Sequence, residues 1–161
     1  MWRKLISTPE DPLLTFLRLA LFAIFIPHGA QKVLGWFGGG GYASTMHMFT
    51  SQDIPAFLAF LAIVAEFAGA IALFFGFLTR IAAFGLACVM VVAITTTHWQ
   101  NGFFMNWAGN QRGEGFEYHL LAITILLAVM VRGAGAWSVD RALWLSSEMR
   151  SRREIGLRRT A

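Results

Sequence analysis

The chain has 161 residues, of which 57% are hydrophobic and only 14% charged, so it is too apolar for an ordinary soluble domain and long enough for about four membrane crossings of roughly 20 residues each. Its excess of basic residues is concentrated in a tail beside the membrane spans, at Arg150, Arg152, Arg153, Arg158 and Arg159, which points to anionic lipid headgroups as partner and not to nucleic acid. The lone cysteine, Cys88, sits in an apolar segment and excludes an intrachain disulfide or a Cys-x-x-Cys redox pair.

Residues 1 to 11 are polar, with Glu10 and Asp11 ahead of the first apolar run and no small-residue cleavage site after a short hydrophobic region, so a cleaved signal peptide is not expected. The first span is expected at about residues 13–35. Arg18 falls about one turn inside it and is expected to snorkel to the interface. Pro27 interrupts the helix hydrogen bonding just before His28. Gly35, Trp36, Phe37 and the run Gly38 to Gly41 then stop the helix and put Trp36 at headgroup level.

A connector with a weak helical period, residues 42 to 54, leads to a second span at about 55–78 that carries a single charge, Glu66. Thr79-Arg80 is too short a turn to hold a domain, so a third span at about 81–98 follows antiparallel. The next connector is rich in Gly and Asn and carries Phe103, Phe104 and Trp107 as aromatic anchors. A fourth span is expected at about 116–131. Ser138 can then cap an amphipathic surface helix in a basic tail, residues 138–161. The fold class is therefore all-α: a polytopic four-helix membrane bundle, residues 1–137, followed by that tail. Ala65-x-x-x-Gly69 and Ala68-x-x-x-Ala72 suit close helix contact on the second span.

With the N-terminus cytoplasmic, four crossings leave only Lys32 and Arg112 of the 13 basic residues outside. The positive-inside rule thus predicts both termini in the cytoplasm and the protein in the cytoplasmic (inner) membrane. All four histidines, His28, His47, His98 and His119, then fall on the outer side. Glu66 lies about 16 Å down from the outer end of its span, near the midplane. His28, Gln31 and Lys32 share one helix face. Ionisable groups at this depth cost roughly 2.5–3.5 kcal/mol each on insertion scales, so they face protein or a wet cavity and mark a functional site by default.

The simplest construction is an outer-leaflet pocket floored by Glu66 and walled by His28, His98 and Glu117, with Gln31, Lys32, Trp36 and Tyr118 at hand to bind a ligand. Histidine and carboxylate can move protons while an ammonium steadies a developing phenolate, which suits a quinone. The competing readings are structural. His28 and Glu66 can hold helices together, Lys32, His98 and His119 can anchor at the interface, Tyr118 and the tryptophans can form an aromatic belt, and Arg80 can simply fix topology. Met46-His47-Met48 offers soft ligands for copper but is one isolated triplet. No His-x-x-x-His or Glu-x-x-His spacing signals a metal, and no haem or flavin motif is present.

The segment His28-Gly-Ala-Gln31-Lys32-Val-Leu-Gly35-Trp36-Phe37-Gly38-Gly39 closely resembles the HGxQKLFGWFGG signature of the DoxX family. The similarity continues through Glu66-Phe-Ala-Gly69 to Thr79-Arg80, His98 before a loop holding Gly102-Phe103-Phe104, and Gly133-Ala-Gly135-Ala-Trp137-Ser138-Val-Asp140, covering roughly residues 13 to 142. Ala70 departs from it where a second glycine is common. The resemblance implies a four-helix membrane protein and a redox subunit passing electrons from a small, possibly sulfur-containing reductant or a partner enzyme to quinone. It also implies His28, Gln31, Lys32, Glu66, His98 and Glu117 as its site, with partner proteins or a homo-oligomer in the membrane. The alternative is a non-catalytic anchor that recruits soluble redox or oxidant-defence enzymes.

Overall fold

The computed structural model describes residues 2–159. The side chains of residues 152–159 lie outside that description, and with them the arginine cluster Arg152, Arg153, Arg158 and Arg159. Every regular element among the described residues is helical: α1 (Trp2–Ile6), α2 (Pro12–Leu34), α3 (Gly41–Thr50), α4 (Ala56–Phe75), α5 (Thr79–Ala93), α6 (Glu117–Arg132) and α7 (Val139–Arg159). α5 continues through a π-helical turn, Ile94–His98, and a last tight turn, Trp99–Asn101.

α2, α4, α5 and α6 form an all-helical membrane bundle in which α2 packs on α4, α4 on α5, and α5 on α6. α2, α4 and the continuous helix Thr79–Asn101 are long and apolar enough to cross a membrane. α6 has only 16 residues, about 24 Å at the α-helical rise, so it falls short of the roughly 30 Å hydrocarbon core. Its Leu120, Leu121, Leu127 and Val131 are nonetheless exposed, as are Phe57, Leu61, Phe74 and Phe75 on α4, which gives the bundle a lipid-facing apolar coat. The interior is filled by Leu21, Phe25, Leu73, Leu86, Leu126 and Val129.

Two close approaches set the helix spacing. A Cβ at Gly29 would stand 2.7 Å from Phe67 Cα and 2.9 Å from the Glu66 carbonyl oxygen, so the backbones of α2 and α4 touch there as only glycine permits. On the other side of α4, a Cβ at Gly85 would meet Ala65 at 3.4 Å, and Gly69 faces Leu86. Ala65 and Gly69 thus form the α4–α5 seam, whereas Ala68 points outward.

The bundle end nearest α1 and α7 is closed by polar side chains that collect backbone groups. Arg18 does not snorkel: it is 2% exposed. Its Nε donates to the Ala134 carbonyl at 3.0 Å, Nη1 to Leu73 at 2.8 Å and to Phe74, and Nη2 to Trp137 at 2.6 Å. The planar guanidinium thus satisfies carbonyls that the C-terminus of α4 leaves open and ties them to the segment after α6. Arg80, which the sequence suggested as a topology residue, has structural partners. Its Nη1 donates to the carbonyls of Met130 and Val131, both at 2.5 Å, capping α6, and its Nη2 donates to Ser7 at 3.0 Å. Ser138 Oγ accepts the Arg141 N–H at 3.2 Å and so starts α7 as a cap.

Candidate functional site

The register fixed at Gly29 brings α2 and α4 together one turn further along, where Lys32 Nζ donates to Glu66 Oε2. The glutamate side chain is 5% exposed and that of the lysine 22%. Glu66 is the eleventh residue of α4's 20, so the pair sits deep in the bundle with its carboxylate enclosed and its ammonium approachable. Removing either partner of such a pair leaves an uncompensated buried charge, at a cost of about 3–5 kcal/mol.

A second cluster lies where α5 and α6 meet. The rings of His98 and His119 stand 4.1 Å apart, and Tyr118 meets His119 edge to face at 5.4 Å. The π-helical turn adds a residue to the last turn of α5 and thereby aims His98 at α6, a use of π turns common at functional sites. His98 Nδ1 lies 2.8 Å from the Glu114 carbonyl oxygen. A carbonyl can only accept, so in this bond Nδ1 carries the proton and Nε2 is left as the basic nitrogen.

His119 is buried, and its Nδ1 has no hydrogen-bond partner among the described residues. The two clusters lie in one bundle, since α2 also packs on α6. Between them they hold an ammonium, a carboxylate, a phenol and two imidazoles, groups able to move protons to and from an acceptor in the bundle.

The other expected site residues lie elsewhere. Glu117 turns to the loop before α6: its Oε1 accepts the Met105 N–H at 3.1 Å, and its own N–H donates to Phe103 at 2.9 Å. Gln31 uses its amide to hold the turn after α2, donating to the Phe37 carbonyl at 3.2 Å. Trp36 is 61% exposed and His28 stands open at the edge of α2.

His119, which sequence reasoning left among interfacial anchors, is buried against His98 and Tyr118. Its signal is present in the sequence, because His119, Ala122, Leu126 and Val129 recur at the period of one buried helical face, and Glu117 is out of phase with them. Beyond His98 the loop borders a half-open cavity of about 510 Å³ lined by Thr97, His98, Asn101, Arg112 and Glu114 among others. No group of three or more His, Cys, Asp or Glu among the described residues is arranged to hold a metal.

Comparison with known proteins places this architecture. The family model for DoxX matches residues 13–99, from the second residue of α2 to the residue after His98. The chain is 30% identical over 134 residues to the inner membrane protein YqjF of Escherichia coli (strain K12), covering 83% of this chain and 94% of that protein. It is 33% identical over 113 residues to a protein of Bacillus subtilis (strain 168) named "Putative oxidoreductase CatD", covering 70% and 75%. No solved structure matches. The family match includes both members of the Lys32–Glu66 pair, and with the apolar helices around them it shows that this chain is a multi-pass inner membrane protein belonging to the DoxX family.

Proposed function

We propose that the chain is the quinone-binding membrane subunit of an oxidoreductase, taking electrons from a small reductant or a partner enzyme. The observation that carries the proposal is the Lys32–Glu66 ion pair at membrane depth, in a bundle that also buries an imidazole whose Nδ1 lacks a partner among the described residues. A quinone ring offers two carbonyl acceptors, and the residues fit it. Lys32 has donors beyond the one given to Glu66, and His119 Nδ1 is a polar atom without a bond. When bound, the quinone supplies the electron acceptor. Lys32 orients it and favours negative charge on its oxygen, and Glu66 holds Lys32 in place. His119 and His98 move protons between that position and the cavity beyond His98, with the Glu114 carbonyl holding the His98 tautomer.

The orientation is part of the same proposal. Both termini lie in the cytoplasm, as the arginine distribution favours, so protons exchange with the outer face. The test is photolabelling of the full chain in liposomes with a photoreactive short-chain benzoquinone. Peptides of α2 and α4 should be labelled, and labelling should fall about tenfold or more in Lys32→Met and Glu66→Gln, the loss expected when a charge-assisted hydrogen bond is removed. Lys32→Arg retains the charge and guards against loss of fold. Equal labelling of all four proteins would end the proposal.

A second reading, an anchor for soluble redox enzymes, draws support from Trp107, which is 88% exposed on the loop before α6. It predicts a soluble partner that co-purifies with the wild type and is lost from Trp107→Ala while quinone labelling is absent throughout.

A further inference from the structure

At the end of the bundle away from the Lys32–Glu66 pair, α1, the start of α5 and α7 border an open surface cavity of about 370 Å³ lined by Arg3, Lys4, Ser7, Arg80, Trp144 and Glu148. Three of these side chains are cationic and one is anionic. Glu148 is paired with Arg3, which leaves the formal charge of Lys4 and Arg80 uncancelled by any carboxylate among the described residues.

The two remaining cations differ in a useful way. The Arg80 guanidinium is locked by its three bonds to the carbonyls of Met130, Val131 and Ser7, so it is a fixed positive charge in the cavity wall. Lys4 takes part in no ion pair among the described residues and sits on a flexible stem, so its ammonium can adjust to an incoming group. Trp144 adds an amphipathic ring of the type found at the headgroup level of a bilayer, and Trp2 on the neighbouring turn of α1 is 51% exposed.

A fixed guanidinium and a mobile ammonium around an open cavity of this size suit an anion with several oxygens, not a metal ion. We propose that this cavity is a phosphate site, occupied in the membrane by the headgroup phosphate of an anionic phospholipid, with Arg80 and Lys4 as its principal contacts and Arg3 at its rim. A soluble phosphate compound would present the same chemistry. The apolar helix faces that border this end of the bundle favour the lipid, since they can accept its acyl chains while the phosphate is held.

The test uses the full chain purified in neutral detergent and equilibrated with vesicles of phosphatidylcholine containing a minor fraction of phosphatidylglycerol, with lipid bound per chain read by native mass spectrometry. Phosphatidylglycerol should be retained in preference to phosphatidylcholine. Lys4→Gln should weaken that retention about fivefold, the effect of one near-surface cation. Arg150→Gln, which makes the same change in net charge outside the cavity, should leave it unchanged, and Glu148→Gln should strengthen it.

Arg80→Gln is read only alongside a melting curve, because Arg80 also caps α6, and Lys4→Gln carries the result without it. Equal losses in Lys4→Gln and Arg150→Gln would show diffuse attraction to a basic surface and overturn the proposal, as would equal retention of the two lipids. Displacement of phosphatidylglycerol by millimolar inorganic phosphate would support the phosphate site and reassign its source to solution. Resistance to displacement supports the lipid.

Discussion

Asp140 caps Thr79: its Oδ2 accepts the Thr79 backbone N–H at 2.9 Å while Oδ1 accepts that of Leu78 at 2.8 Å. The carboxylate is 1% exposed and stabilises a Leu78 backbone held at φ 48°, a left-handed conformation that costs a non-glycine residue of order 1–3 kcal/mol. One side chain from the start of α7 thus satisfies the first donors of α5 and secures the reversal from α4. Asp140→Ala should lower stability by about 2 kcal/mol or more, from a lost cap with strain left unopposed. Asp140→Asn, which retains an acceptor for one of the two N–H groups, should fall between. Thermal unfolding in detergent, followed by tryptophan fluorescence, will rank the three proteins. Coincident curves for the wild type and Asp140→Ala would refute the capping role.

Gly29→Ala should be poorly tolerated. The added methyl would lie 2.7 Å from Phe67 Cα and 2.9 Å from the Glu66 carbonyl oxygen, and backbone atoms cannot rotate away, so α2 and α4 must separate. Overpacking of this kind costs typically about 1–3 kcal/mol. Gly85→Ala is the control, because its methyl would meet only the Ala65 side chain, at 3.4 Å. The unfolding midpoint should fall for Gly29→Ala and stay nearly fixed for Gly85→Ala. A reversed order would show that the helix spacing is set elsewhere.

Arg18→Lys should behave as a severe substitution, not a conservative one. Arg18 donates from Nε, Nη1 and Nη2 to carbonyls of α4 and of residues 134 to 137, a fan that a single ammonium cannot reproduce. Lys would leave buried carbonyls unsatisfied at about 1–3 kcal/mol each. Folded yield and thermal midpoint should drop for Arg18→Lys nearly as far as for Arg18→Met. A snorkelling arginine would instead give a lysine variant indistinguishable from the wild type.

The parts of this fold that could be read in advance are those where the membrane itself imposes the rule. Glu66, alone in an apolar run, had to face the protein interior, and there it meets Lys32 of α2. The apolar lengths around α2, α4 and α5 followed from bilayer thickness, and Ser138 as a cap followed from its place before α7. Arg18 and Arg80 could not be read in the same way, because their partners are backbone carbonyls, which every residue carries, so no side-chain pattern marks them. Glu117 and His119 differ in another way. Charge drew attention to Glu117, which is spent on Met105, while the helical period of α6 singles out His119. The π-helical turn that aims His98 was also hidden, since Thr95, Thr96 and Thr97 fit an ordinary helix end as well.

The closing segment has a consequence for how the protein is made. Arg18 leaves the ribosome early, yet the carbonyls of Ala134, Ala136 and Trp137 that it binds, and the Asp140 carboxylate that secures the turn at Leu78, follow more than a hundred residues later. Until α4 is made, Arg18 has only water or headgroups for partners, and the Leu73 and Phe74 carbonyls of α4 then take only its Nη1, so α2 must enter the bilayer with its arginine still solvated. The bundle is locked only when the last connector folds back beneath it, and a chain truncated before residue 134 would carry every apolar helix without the latch that holds them together.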